Sequence, residues 1–272
     1  MVVGLLNKSL VIALILLFSG QNLYSTEFQG KFEQGSFILG KTKPGSRVII
    51  DNRKVKVTED GYFAFGLSRD RKNNILIKVF ENGKSKVIEK KVLKRKYKIQ
   101  RIDGLPEKKV TPPKEVYKRI KAENKLIGDA RAVESNLSFF KDKFINPLDK
   151  AIVTGVYGSQ RILNGKPKWP HYGIDFAAKE GTKIKAMLAG TATMVEPDLF
   201  YTGGTLIFDH GHGVSTLYMN IKDIYVKKGQ KVKQGEIIGT VGSTGRSTGP
   251  HLDIRLNWFD VRLDPATVLN LN

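Results

Sequence analysis

All four histidines of this chain fall in its C-terminal half, at His171, His210, His212 and His251, and there is no cysteine. Without thiolates, a metal ion has to be held by imidazole and carboxylate, and disulfides and thiol nucleophiles are excluded. A lone histidine ordinarily completes a hydrogen bond inside a fold, so its neighbours decide what else it does. In His171-Tyr172-Gly173-Ile174-Asp175 an imidazole and a carboxylate stand four residues apart, and Gly173 permits a tight turn onto a β-prone run. In His251-Leu252-Asp253 two polar groups flank an apolar one, so on a strand they share a face while Leu252 points to the core. Donors of these types suit zinc, and three protein ligands with one position left to water is the arrangement of hydrolytic zinc. Spacing alone leaves open both a metal site and a set of structurally satisfied polar groups. His210 and His212, in Asp209-His210-Gly211-His212-Gly213, read as a turn-stabilising pair.

Such groups need rigid elements to hold them, and the surrounding sequence supplies short strands. From Asn146 to Asn272 β-prone runs alternate with Gly-rich turns; Gly242 to Gly245 and Thr248-Gly249-Pro250 shape the loops ahead of the His251 run. Trp169, Tyr172, Tyr201, Tyr218 and Trp258 serve either a groove or ordinary packing. Residues 28–98 carry runs at Ser36 to Leu39, Arg47 to Ile50, Val55 to Thr58, Tyr62 to Phe65, Ile75 to Phe80 and Lys86 to Val92. The turns between them, Pro44-Gly45, Asp51-Asn52, Asp60-Gly61 and Asn82-Gly83, tolerate positive φ, which predicts hairpins folded into an immunoglobulin-like β-sandwich. Residues 99–143 join the two: a linker whose Pro106, Pro112 and Pro113 bar a continuous helix or central strand, then an amphipathic helix from Glu115 to about Leu137. The expected fold class is mainly β.

The 272 residues suffice for two modest domains, each with a core of its own. With 46 Lys and Arg against 26 Asp and Glu, the formal charge of +20 draws the protein to polyanions: nucleic acid, anionic lipid or an acidic wall polymer. The N-terminus narrows that choice. Lys8, the apolar run Leu10 to Phe18 and the polar stretch Ser19-Gly20-Gln21 have the three-part layout of a signal peptide over residues 1–25, too short to span a bilayer comfortably. An exported protein, periplasmic or envelope-associated, follows. Nucleic acid drops out as a partner, and anionic envelope surfaces remain.

Four segments, HYGIDFAA (171–178), GTLIFDHGHGVSTLYM (204–219), VKKGQKVKQGEIIGTVGSTGRSTGPHLD (226–253) and RLDP (262–265), resemble in content and order the lysostaphin/LytM-type zinc metallopeptidases. The resemblance covers nearly all of residues 146–270. It implies a compact antiparallel β peptidase domain over 146–272, with a substrate groove across its sheet and a catalytic Zn2+. Position by position, it makes His171 and Asp175 zinc ligands, as in the family's H-x-x-x-D motif, and makes His251, the first histidine of its H-x-H motif, a catalytic group. Asp253 falls where the family has its third ligand, a histidine. Two carboxylates cancel the ion's charge where one leaves it net positive, which predicts a weaker Lewis acid. Asn220, in LYMNI, stands where the family has a second catalytic histidine; asparagine can donate to a developing oxyanion but cannot shuttle a proton.

What the resemblance implies is a zinc-dependent metalloendopeptidase hydrolysing peptidoglycan peptides. The alternative that Asn220 and Asp253 raise is a catalytically impaired domain that binds peptidoglycan or activates another cell-wall hydrolase. A third reading is an envelope adaptor working through the N-terminal sandwich.

Overall fold

The computed structural model describes residues 25–104, 107–150, 152–269 and 271. The export segment expected over residues 1–25 lies, Ser25 apart, outside the described residues.

The first strands are β1 (Glu27–Gln29), β2 (Phe37–Lys41), β3 (Arg47–Ile50), β4 (Arg53–Val55), β5 (Tyr62–Gly66), β6 (Ile75–Glu81) and β7 (Lys84–Lys90). They form two small antiparallel sheets, ordered β1-β2-β5 and β4-β3-β6-β7. Asn82 and Gly83 at the β6–β7 turn have φ of 50° and 74°, the pair of left-handed residues that a two-residue hairpin with the right twist requires.

The expected linker begins with a strand. β8 (Ile99–Ile102) pairs in parallel with β10 (Gln160–Leu163), which follows β9 (Ile152–Gly155) in the C-terminal half. β8 lies at the edge of a three-stranded sheet and not at its centre. After a short helix α1 (Glu107–Val110), the amphipathic helix is α2 (Tyr117–Arg131), shorter than expected. Beyond Arg131 the chain runs along the turn at Gly211 and His212, where the Ser135 carbonyl accepts from His212 N at 3.3 Å instead of from a further helical turn.

The remaining strands are β11 (Lys166–Pro167), β12 (Ile174–Ala177), β13 (Lys183–Lys185), β14 (Gly190–Leu199), β15 (Gly203–Gly211), β16 (Val214–Ile224), β17 (Lys231–Val232), β18 (Ile237–Val241), β19 (His251–Trp258) and β20 (Val261–Leu263). Most join one large antiparallel sheet with the path β17-β14-β15-β16-β19-β12-β9. Every residue of β15 is buried, because the sheet is covered on both faces. On one face Ile127 and Ala130 of α2 pack on Met194, Leu199, Ile207 and Leu217. On the other lies the main core, including Phe208, Tyr218, Leu252, Ile254 and Leu256.

That core does not stop at a domain boundary. Ile38, Phe63 and Phe65 of the N-terminal sheets belong to the same buried cluster as Phe140, Phe144, Trp258 and Leu263, so the two halves share one core and not two. Polar contacts continue the join: Asp264 N donates to Gly35 O at 2.8 Å, and Arg95 Nη1 to Asp264 Oδ2 at 2.8 Å. Among the described residues no helix is long and apolar enough to cross a membrane.

Candidate metal centre

β12 and β19 run antiparallel with Asp175 directly opposite Asp253, Phe176 opposite Leu252 and Ala177 opposite His251. The two-residue period of a strand does the sorting. Leu252 and Ile254 go fully buried into the core, while His251, Asp253 and Arg255 take the other face beside Asp175. His171, just ahead of β12, is fixed by its backbone: its N–H donates to Ser159 O at 2.8 Å and its carbonyl accepts from Gly158 N at 2.7 Å. The outcome is a cluster in which one ligand atom each of His171, Asp175 and Asp253 lies within 4.8 Å of the others.

Two glycines make room for this cluster. A Cβ on Gly155 of β9 would collide with Asp175 Oδ2, and one on Gly173 would sit 2.5 Å from Asp253 Oδ1. Neither glycine has a left-handed φ. Their function is the close approach of carboxylate to backbone.

His171 is 1% exposed, yet neither of its ring nitrogens has a hydrogen-bond partner, and neither does Asp175 Oδ1. His171 Nε2 and Asp175 Oδ1 stand 3.2 Å apart without hydrogen-bond geometry. Orphaned buried polar atoms are costly and rare. Two donors about 3.2 Å apart are spaced as neighbouring ligands on a tetrahedral ion with bonds of about 2.0–2.1 Å are. On that observation the residues present fit a divalent cation.

Each carboxylate also has its own arginine. Arg161 Nη2 donates to Asp175 Oδ2 at 3.1 Å, and Arg255 reaches both oxygens of Asp253, Nε to Oδ1 at 3.3 Å and Nη2 to Oδ2 at 3.1 Å. Burial pushes the Asp175 carboxyl up, but the neighbouring His171 and the Arg161 guanidinium outweigh it and hold the group below the usual carboxylate range. Burial likewise disfavours the Arg255 cation, while Asp253 and Asp175 more than compensate. The formal charges of the two carboxylates and the two guanidiniums sum to zero.

The sequence reading missed both arginines. Arg255 was accessible to the rule that placed Asp253, since His251, Asp253 and Arg255 alternate on one strand. Arg161 sits on β10, where nothing local in sequence points to the cluster.

His251 is oriented by the loop before it. Its Nδ1 lies 2.8 Å from Gly249 O, and a carbonyl only accepts, so Nδ1 carries the proton and Nε2 is the basic nitrogen. Asn220 has φ of 63°, a left-handed conformation that asparagine tolerates better than most side chains, and its Nδ2 donates to Thr244 O at 2.7 Å. It ties β16 to the loop of residues 242–250. Asp175, Asn220, His251 and Asp253 open together onto a cleft of about 380 Å³, walled also by Gln100 and Ile102 of β8, Tyr201 and Arg246.

The other sequence candidates lie elsewhere. His210 is fully buried with Nδ1 2.8 Å from Ala189 O and Nε2 2.8 Å from Thr216 Oγ1, and burial pushes its imidazole down to about 4. His212 contacts Lys56 O and packs on Phe140. Both are structural, as their turn context suggested. Tyr218 and Trp258 are core residues, Trp169 is 82% exposed, and Tyr172 packs under Arg262; of the five aromatics noted, Tyr201 lines the cleft.

Residues 169–265 match peptidase family M23. The chain is 42% identical over 103 residues to the peptidoglycan DD-endopeptidase ShyA of Vibrio cholerae, covering 38% of this chain and 23% of that protein. It is 44% identical over 98 residues to the DD-carboxypeptidase/endopeptidase Mpg of Neisseria meningitidis, covering 36% and 22%. The chain thus spans about a fifth of the length of these curated relatives. A crystal structure of an M23 peptidase from Pseudomonas aeruginosa superposes with a TM-score of 0.69 at 26% identity, over 88% of this chain and 95% of that one. Motif order and the family match give one answer: residues 169–265 are a domain of peptidase family M23, the LytM/lysostaphin family.

Proposed function

We propose that this protein is a zinc-dependent endopeptidase that hydrolyses peptide bonds in peptidoglycan, with His171, Asp175 and Asp253 as ligands. The observation that carries the reading is the buried pair of His171 Nε2 and Asp175 Oδ1, 3.2 Å apart and without a hydrogen bond, beside Asp253, with both carboxylates lining an open cleft. When bound, zinc supplies Lewis acidity to the scissile carbonyl and to the attacking water. Arg161 and Arg255 hold the two carboxylates in place and offset their charge. His251 Nε2, left with its lone pair free by the Nδ1 contact to Gly249, takes the proton from water and passes it toward the leaving amine. Asn220 clamps the 242–250 loop and offers its second amide hydrogen to the developing oxyanion. The peptidoglycan substrate is supported by the names of the relatives, DD-endopeptidase and DD-carboxypeptidase/endopeptidase. The proposal sets this activity outside the cytoplasm, on the strength of Lys8 and the apolar run Leu10 to Phe18.

The test is metal content and muropeptide release by the purified full chain. About one zinc per chain and new muropeptides are expected, with both lost in His171→Ala. A chain that holds no zinc ends the proposal.

One observation favours a second reading, a domain that binds peptidoglycan or activates another hydrolase without turnover. Asn220, which the resemblance sets where the family has a second catalytic histidine, spends one amide hydrogen on Thr244. Zinc binding without muropeptide release, with hydrolysis appearing in Asn220→His combined with Asp253→His, would decide for it.

A further inference from the structure

The residues lining the cleft carry three guanidiniums, Arg161, Arg246 and Arg255, against two carboxylates, Asp175 and Asp253. Arg161 and Arg255 are hydrogen-bonded to those carboxylates. The lining therefore has a net positive charge before any cation is added. Such a cleft concentrates anionic ligands and repels cationic ones.

Arg246 is placed differently from the other two. It comes from the 242–250 loop, and its Cζ lies 4.5 Å from the centre of the Tyr201 ring. Its backbone N–H donates to Tyr201 O at 2.9 Å. The loop is pinned from two further sides. Asn220 Nδ2 donates to Thr244 O, and Thr244 Oγ1 accepts from Gly204 N at 3.0 Å. Burial and the nearby charges of Arg161 and Arg255 disfavour the Arg246 cation, and an anion in the cleft relieves that repulsion. A guanidinium seated over an aromatic ring is restrained before any ligand arrives, so less freedom is lost when it pairs with a carboxylate.

We infer that Arg246, on its Tyr201 platform, is a specificity-determining residue that binds a free carboxylate of the peptide whose bond lies over His171, Asp175 and Asp253. The substrate class is then an acidic peptide and not a neutral or fully amidated one. The inference rests on the proposed peptidase reading for the identity of the ligand, but its measurement does not need turnover. A phosphate group shares the relevant chemistry, so one arm of the test uses a phosphate.

The experiment titrates the full chain, kept metal-free by chelation, with a synthetic wall-stem peptide and with the same peptide carrying amidated carboxylates. One charge-assisted pair predicts at least about ten-fold tighter binding of the free acid by the wild type. The ratio should collapse toward one in Arg246→Gln, take an intermediate value in Arg246→Lys, and fall in Tyr201→Leu, which decides the matter if Arg246→Gln does not fold. Equal binding of acid and amide by the wild type, or an undiminished ratio in Arg246→Gln, overturns the inference. Displacement of the peptide by equimolar glycerol phosphate reassigns the subsite to a phosphate polymer and overturns it as well. Retained discrimination with no hydrolysis under any zinc loading defeats the peptidase reading while leaving the subsite standing.

Discussion

Asp175 and Asp253 face one another across the β12–β19 pair in direct register, and each is held by a different arginine, Arg161 from β10 and Arg255 from β19 itself. The arrangement puts two like charges side by side and resolves the repulsion within the protein. Arg255→Met removes half of that resolution and leaves Asp253, 5% exposed, without its bidentate partner. Breaking a buried ion pair on one side costs about 3–5 kcal/mol, and the part-exposed Arg255 side chain moves the expectation to the lower end of that range. The urea midpoint should fall accordingly, and Asp253→Asn added to Arg255→Met should recover a good part of the loss.

Gly173→Ala tests the space around the site more than its charge. The new methyl group would meet Asp253 Oδ1 and the Ile254 carbonyl, each at 2.5 Å, so Asp253 must move. A fold destabilised by about 1–3 kcal/mol is expected, together with a drop in zinc affinity of ten-fold or more. Zinc competition with a chromophoric chelator reads the second effect, and an unchanged affinity would show that Asp253 is not a ligand.

His210 makes the fold sensitive to acid independently of the cleft. Its imidazole is held down to about 4 by burial, only partly offset by the Ala189 carbonyl, against an unfolded value near 6.5. Because the folded value is depressed, the neutral form's contribution is complete above about 6.5 and is lost as pH falls through the window between about 6.5 and 4. Linkage predicts a loss of about 2 kcal/mol between pH 7 and pH 4.5 from this group alone. Chemical denaturation at the two pH values, in wild type and His210→Gln, should show a smaller pH-induced loss in the variant.

Asn220→Ala separates the clamp from any chemistry at that position. It removes the 2.7 Å bond to Thr244 O and puts alanine at φ 63°. A loss of about 1–3 kcal/mol is expected from bond and backbone together. Amide exchange at Arg246 and His251, whose N–H groups are bonded to Tyr201 O and Gly242 O, should accelerate locally. Protection at those two amides equal to wild type would mean that the loop does not depend on Asn220.

Much of this was readable in the chain because it was written locally. The hairpin at Asn82-Gly83 and the strands at Arg47–Ile50 and Tyr62–Gly66 follow from alternation and turn chemistry within a few residues. The period-two rule put His251 and Asp253 on one face, and it was the resemblance of the surrounding motifs that implied Asp253 would join His171 and Asp175. What stayed hidden was set by contacts distant in sequence. Nothing near Arg161 announces that it will meet Asp175, nothing near Arg246 announces Tyr201, and the Pro-containing stretch gave no sign that Ile99–Ile102 would find a parallel partner. The shared core was hidden for the same reason, since Gly66 lies against Leu263 through the fold and not along the chain.

The pairing of β8 with β10 bears on how the molecule can be divided. Gln100 of β8 accepts from Arg161 Nε at 3.3 Å, and Arg161 in turn grips Asp175, so a chain of two hydrogen bonds runs from the expected linker to the metal cluster. A fragment starting at residue 140 would bare the β10 edge, a row of unpaired amides that invites association with other chains, and would remove one wall of the cleft. The point where the sequence looks easiest to cut is therefore where a cut reaches the proposed catalytic residues.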